Sequence, residues 1–376
     1  MKRRKHRRKI GKEQIGIVRG LSLILLIAIF LTIFFLYLWK QNIRRAGDVS
    51  EIDFGDVGVA AVHSEEQRDA SVGEPARETV SEIFPEPDYD FHIEEVTLAL
   101  DGVTREHNIA WVSDLHLISD HEAGDLLGDV HAEYLDAINK RYERLAITDD
   151  GIHAEELWPE IIKYLNYNAF DGVIFGGDMM DYCSNSNIAI IKEGLDGLRI
   201  PYIYIRADHD YGAYYGGVCF TEEETRALHQ TIDGDEIANK FWDRNEFMVL
   251  GIDNSTKDIP DYYVNMVADV YTRERPVIMA THVPYESKID NSLAEFSMQV
   301  RNTIYYWSDV SERFHPNDNT RRYLDMIYQE DTVVAQVLAG HLHASWDGML
   351  TQQVPQHIFG PAFGGNIGWI HIVPAE

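Results

Sequence analysis

The sequence predicts a layered α/β domain over residues 91–376. Two observations carry that expectation. Five short, mostly apolar runs alternate with amphipathic helical patterns, and each run ends in a motif bearing Asp or His. Alternation of strand and helix is the mark of βαβ units, in which ligand-binding side chains collect beyond the carboxyl ends of the strands. The roughly 285 residues of this region are enough for one large core.

Taken in order, Phe91 to Ala99 alternates apolar and polar residues and opens the fold as a strand. Asn108–Val112 is an apolar run that leads into Ser113-Asp114-Leu115-His116. Glu155 to Asn166 carries a helical pattern, followed by the run Gly172–Phe175 and the turn Gly176-Gly177-Asp178. Pro201–Ile205 leads into Arg206-Ala207-Asp208-His209-Asp210, and Pro276–Ala280 into Thr281-His282. A second helical pattern spans Thr320 to Gln329, and the run Val333–Leu338 precedes Ala339-Gly340-His341-Leu342-His343. Such short apolar runs suit strands buried on both faces. The stretch Leu117–Leu157 has no motif and reads as an insertion. Its Asp120, His121, Asp129 and His131 accompany a helical spacing of Leu126, Val130, Tyr134 and Ile138, so they are expected on a solvated helix face.

Carboxylates and imidazoles gathered at strand ends suit a pair of divalent cations, with no cysteine among them to favour soft-metal chemistry. The order Asp-x-His, Gly-Asp, Asp-His-Asp, His, Gly-His-x-His resembles the calcineurin-like metallophosphoesterases. The closing run Phe359-Gly-Pro-Ala-Phe-Gly-Gly-Asn-Ile-Gly-Trp-Ile-His371 is also similar to that family's last strands. The resemblance implies a four-layer α/β/β/α sandwich and a binuclear site with two Mn, Fe or Zn ions. It implies that Asp114, His116, Asp178 and His343 hold one ion, and Asp178, Asp208, His282 and His341 the other. It further implies that a metal-bridging hydroxide attacks the phosphorus of a phosphoester, mono- or diester. His209 would contact the phosphate or protonate the leaving oxygen, with Asp210 orienting its ring. One position departs from the family pattern: Asp208 stands where relatives carry Asn. It supplies an oxygen but adds a negative charge.

The charge along the chain is split. Residues 1–45 carry 12 Lys/Arg and one acid, Glu13, for +11; the rest carries −40, giving the net −29. A domain this acidic repels polyanions, which argues against nucleic acid as substrate or partner. Gly20 to Trp39 has no charge over 20 residues, long enough for a transmembrane helix. Residues 1–19 are then a basic cytoplasmic tail, residues 20–39 a signal anchor and residues 40–90 an acidic linker. The positive charges on the N-terminal side place the following domain outside the cytoplasm. A cleaved signal peptide is the competing reading, against which stand the length of the apolar run and the lack of an Ala-x-Ala-like site.

Cys183 and Cys219 are the only cysteines and are read as a disulfide or as two inert buried thiols. Tyr211, Tyr214 and Tyr215, on a glycine-rich loop after Asp210, either stack on the substrate's leaving group or pack against the insertion. The functional expectation is a membrane-anchored, metal-dependent phosphoester hydrolase of unknown oligomeric state. The alternative is a non-catalytic, metal-stabilised ectodomain that binds an envelope component or partner protein.

Overall fold

The strand-forming runs assemble into two sheets. The computed structural model describes residues 84–119, 138–168, 170–211, 230, 232, 240–255 and 259–375. The first sheet contains β1 (His92–Leu100), β2 (His107–Val112), β3 (Gly172–Phe175), β4 (Tyr202–Tyr204) and β11 (Asn366–Pro374), in the order β1-β11-β2-β3-β4. The second contains β5 (Phe241–Asp243), β6 (Met248–Ile252), β7 (Val277–Thr281), β8 (Val334–Ala339), β9 (Trp346–Met349) and β10 (Pro355–Ile358), in the order β5-β6-β7-β8-β10-β9. Both are mixed. Strands β2-β3-β4 and β6-β7-β8-β10 run parallel, with antiparallel pairs at β11–β2, β5–β6 and β10–β9.

The core explains the layering. Ile109, Trp111, Ile174 and Ile203 of the first sheet meet Val249, Ile278, Ala280 and Leu338 of the second in one apolar cluster. Helices α1 (Ala154–Asn168) and α2 (Asn185–Gly197) bury Leu157, Ile161, Leu165 and Ile191 with the other face of the first sheet. Helices α4 (Asp261–Tyr271) and α6 (Asp318–Tyr328) bury Val264, Val267, Tyr323 and Ile327 with the second. A one-turn helix α3 (Asp208–Tyr211) follows β4, and α5 (Ser292–Arg301) lies between β7 and α6. Strands buried on both faces need continuous apolar runs, which is what β3, β6 and β7 show.

The linker's last residues join the domain. The Asp88 amide donates to Glu160 at 2.7 Å, and the rings of Tyr89 and Phe91 pack edge to face. Contacts with the domain are thus made by residues a little before the expected boundary at 91. The expected membrane span at 20–39 and the linker up to residue 83 lie outside the described residues, as does most of the inserted helix. Among the described residues, no helix is long and apolar enough to cross a membrane.

Candidate metal centre

Every site motif sits in the turn after a strand: β2, β3, β4, β7 and β8. Backbone hydrogen bonds tie these turns together. Asp114 N donates to Gly177 O, His116 N to Asp178 O, and Gly340 N to His282 O, at 2.9–3.1 Å. The turns are conformationally strained. Asp114, His116, Asp178, His341 and His343 all have positive φ, between 47° and 72°. Each such residue costs on the order of 1–3 kcal/mol, and strain of this kind concentrates at functional sites. Two glycines admit the close approach. At Gly177, with φ of +93°, a Cβ would lie 2.8 Å from His282 Nδ1; at Gly340 it would lie 2.4 Å from Asp114 Oδ2.

The turns bring the seven expected ligand residues into two groups with ligand atoms within 4.8 Å of one another. Asp114, His116, Asp178 and His343 form one, and Asp178, Asp208, His282 and His341 the other. Asp178 belongs to both: its Oδ2 is 3.2 Å from His282 Nε2 and 3.6 Å from His116 Nε2. His116 Nε2 and His343 Nε2 stand 3.0 Å apart. Buried and lacking a hydrogen-bond partner, Asp208 Oδ1 and His341 Nε2 are orphaned polar atoms in the second group. Such atoms are costly unless something binds them.

Outer groups aim the rings. His116 Nδ1 faces the Asp181 carboxylate at 2.8 Å, which leaves Nε2 for the centre. Arg141 holds the same carboxylate through Nε at 2.6 Å. His282 Nδ1 donates to Gly176 O at 2.9 Å. Asn254 Oδ1 accepts from the His282 and Val283 amides at 3.2 and 2.8 Å, fixing the start of that turn. His116, Asp181 and His209 form a third cluster, but Asp181 is already engaged by His116 and Arg141 and is an orienting carboxylate. None of Asp181, Arg141 and Asn254 stood out in the sequence. Asp181 had the best signal, lying three residues after Asp178 in the same turn.

Burial and charge oppose each other across the site. Burial opposes ionisation of Asp114 and Asp178, yet the His282 imidazolium beside them holds both carboxyls well below their usual range. Burial likewise opposes charge on His282, but Asp178 and Asp114 push it up to about 10. Burial pulls His343 down to about 4 and holds His341 well below the usual histidine range, leaving neutral imidazoles suited to ligation. Asp208 is raised by burial and by the charge of Asp178. A divalent ion would take over the neutralising task from the proton on His282.

The neighbours of the two groups are tied to the backbone of the site turns. His209 Nδ1 donates to Asp181 O at 2.8 Å, and its amide donates to Asp178 Oδ1 at 3.2 Å. Asp210, expected to orient the His209 ring, also has a backbone role. Its fully buried carboxylate accepts from the amides of Asp178, Met180 and Ala207 at 2.9–3.1 Å and so braces two site turns. Tyr211 donates its hydroxyl to buried Asp253 at 3.1 Å. Tyr214, Tyr215 and Cys219 lie outside the described residues, and Cys183 is a buried free cysteine.

No family model matches the chain, and neither does any curated protein sequence. Among solved structures, a dimetal phosphatase from Danio rerio aligns at 9% identity and a TM-score of 0.40, covering 69% of this chain and 88% of that one. A phosphopantetheinyl hydrolase from Mycobacterium tuberculosis aligns at 12% identity and a TM-score of 0.35, covering 68% of this chain and 90% of that one.

Proposed function

We propose that this chain is a binuclear metallophosphoesterase, hydrolysing phosphomonoesters or phosphodiesters outside the cytoplasm from a membrane anchor at residues 20–39. The observation that carries the reading is the pair of Asp/His groups sharing buried Asp178, with orphaned ligand atoms on Asp208 and His341. The donor set, carboxylate oxygen and imidazole nitrogen, fits Mn, Fe or Zn. The helix–sheet–sheet–helix order of the core clusters supports the α/β/β/α architecture of that family.

Asp114, His116, Asp178 and His343 would hold one ion; Asp178, Asp208, His282 and His341 the other. A bound pair supplies neutralisation of phosphate oxygens and lowers the pKa of water into the neutral range. The chain's own residues do the rest. Asp178 and Asp114 are fixed in the orientation they need by the backbone strain and inter-turn bonds described above. His209, its Nδ1–H engaged by the Asp181 carbonyl, carries its exchangeable proton on Nε2. Burial works against that proton, but Asp178, Asp181 and Asp208 outweigh it and raise the ring above the usual histidine range. His209 is thus the residue equipped to protonate a leaving oxygen.

The anchor reading rests on the uncharged run Gly20–Trp39 and the +11 excess before and beside it. External protease on intact cells should cleave the domain; full protection overturns the topology.

The test of catalysis is turnover of generic aryl phosphate mono- and diesters by Mn²⁺-loaded protein, beside His209→Ala. Turnover should fall by about 10²–10⁴ in the variant, the usual size of a general-acid contribution, with Mn²⁺ affinity within a few-fold. Two bound Mn²⁺ without turnover would leave the non-catalytic ectodomain. Unchanged turnover in the variant would remove His209 from the mechanism.

A further inference from the structure

Asp208 raises a question of charge. Where the family resemblance leads one to expect a neutral amide, this chain puts a carboxylate beside Asp178. The structure shows what meets the added charge. Arg313, 105 residues away in sequence, donates its Nη2 to Asp208 Oδ2. Asp208 Oδ1 is the oxygen left buried without a partner, and Asp208 belongs to the second Asp/His group. The two oxygens of one carboxylate are thus divided between a guanidinium and the candidate metal position.

The guanidinium is itself fixed. Its Nη1 donates to Tyr305 OH at 2.8 Å. Its carbon lies 5.4 Å from the centroids of both the Tyr305 and Phe314 rings. The Tyr305 ring stacks on His341, another member of the second group, at 4.3 Å and 18°. Phe314 meets the same imidazole edge to face at 5.1 Å. Arg301, at the end of α5, donates to His341 O at 2.6 Å. Residues 301–314 therefore contact both Asp208 and His341.

Resting on the two-metal reading above, we infer that Arg313 is a positioning residue that makes Asp208 a charge-compensated, one-oxygen ligand, the electrostatic equivalent of an asparagine. The guanidinium takes Oδ2 and offsets part of the extra negative charge, so Oδ1 is the oxygen presented to the second cation. Arginine suits this task because its charge is permanent and its fork is rigid. About half of the Arg313 side chain remains exposed, so the neutralisation is partial.

The test is Mn²⁺ titration of the metal-stripped full-length protein by calorimetry, comparing the parent with Arg313→Met, Arg313→Lys, Asp208→Asn and the double variant Asp208→Asn/Arg313→Met. Arg313→Met frees a full carboxylate at the second site and should tighten that site's Mn²⁺ affinity by about tenfold, the effect of one charge-assisted contact. Turnover should fall, since a more anionic site repels the phosphate. Arg313→Lys keeps the charge but loses the fork that spans Asp208 and Tyr305, so its second-site affinity should fall between those of the parent and Arg313→Met. Asp208→Asn strands the guanidinium beside the cation and should weaken the second site by a similar factor. Removing Arg313 as well should restore affinity to near the parent. A purely structural arginine could not produce that rescue. If the parent binds two Mn²⁺ but Arg313→Met does not alter the second site, and the double variant behaves like Asp208→Asn, this inference falls and the two-metal reading stands. If the parent binds no Mn²⁺, both fall.

Discussion

Asp181→Asn isolates what an orienting carboxylate contributes to the candidate centre. Asp181 is fully buried, and its carboxylate meets His116 Nδ1 at 2.8 Å and Arg141 Nε at 2.6 Å. Ionisation is favoured there. Burial opposes it, but Arg141 and His116 hold the carboxyl well below its usual range. An asparagine is neutral and has one acceptor oxygen, so His116 and Arg141 both lose their charged partner and compete for the remaining acceptor. A hydrogen bond to a charged group is worth about 1.5–3 kcal/mol. Only the share that passes through His116 acts on the cation. Loss of such an outer partner typically weakens metal binding about 10–100-fold, or about 1.4–2.7 kcal/mol.

The assay is a two-site Mn²⁺ titration of metal-stripped protein, with circular dichroism to confirm the fold. One site, that of His116, should weaken by the stated factor while the other changes by about threefold or less. Arg141→Met is the control, since it leaves the His116–Asp181 contact in place. It should cost thermal stability more than first-site affinity. A folded Asp181→Asn protein that binds both ions within about twofold of the parent would refute the reasoning, for then His116 is not aimed at a cation by Asp181.

Two further outcomes concern the support around the site. Asp253→Ala leaves the ammonium of Lys240, 2.7 Å away and almost fully buried, without its carboxylate; a loss of about 3–5 kcal/mol is expected, read as a drop in unfolding midpoint in a denaturant titration. Burial disfavours the Asp253 carboxylate, but Lys240 and Arg206 outweigh it and depress its pKa. The stability this supplies is full above the unfolded value near pH 4 and is lost as pH falls through the lower folded value, so the parent should lose more stability than Asp253→Asn on acidification below pH 4. Gly340→Ala forces a Cβ to 2.4 Å from Asp114 Oδ2 and 2.6 Å from Ser113 Oγ; overpacking of about 1–3 kcal/mol is expected, with Mn²⁺ uptake at the Asp114 site impaired in the same titration.

The parts of the fold that depend on local pattern were legible in the sequence. The apolar run at Gly172–Phe175 is β3, and the helical pattern from Glu155 lies within α1. Pairing was not legible, because it joins distant segments. β11 inserts between β1 and β2, setting His92 opposite Asn366. The candidate ligands were readable for the opposite reason: each sits in the turn that directly follows an apolar strand. Their supports were not. Asp181 reaches His116 across 65 residues, and Arg313 reaches Asp208 across 105. Residues 301–314 carry no motif. The one available clue was the uncompensated charge of Asp208, which calls for a cation without saying where it lies.

Charge ties these observations together. A domain of −29 over residues 91–376 should repel an anionic phosphoester, so a phosphoesterase reading requires the local field at the site to run against the global one. Three arginines reach the candidate centre from separate parts of the chain. Arg141 pairs with Asp181, Arg313 with Asp208, and Arg301 with the carbonyl of His341. Asp114 and Asp178, the buried carboxylates at the centre, face the His282 imidazolium and neutral donors instead. The arginines therefore quiet the outer carboxylates and leave the inner pair exposed to whatever occupies the middle. Two buried carboxylates against one imidazolium still leave a net negative charge, which is costly to bury. The arrangement makes physical sense when the missing positive charge comes from divalent cations, the charge that a phosphate would meet first.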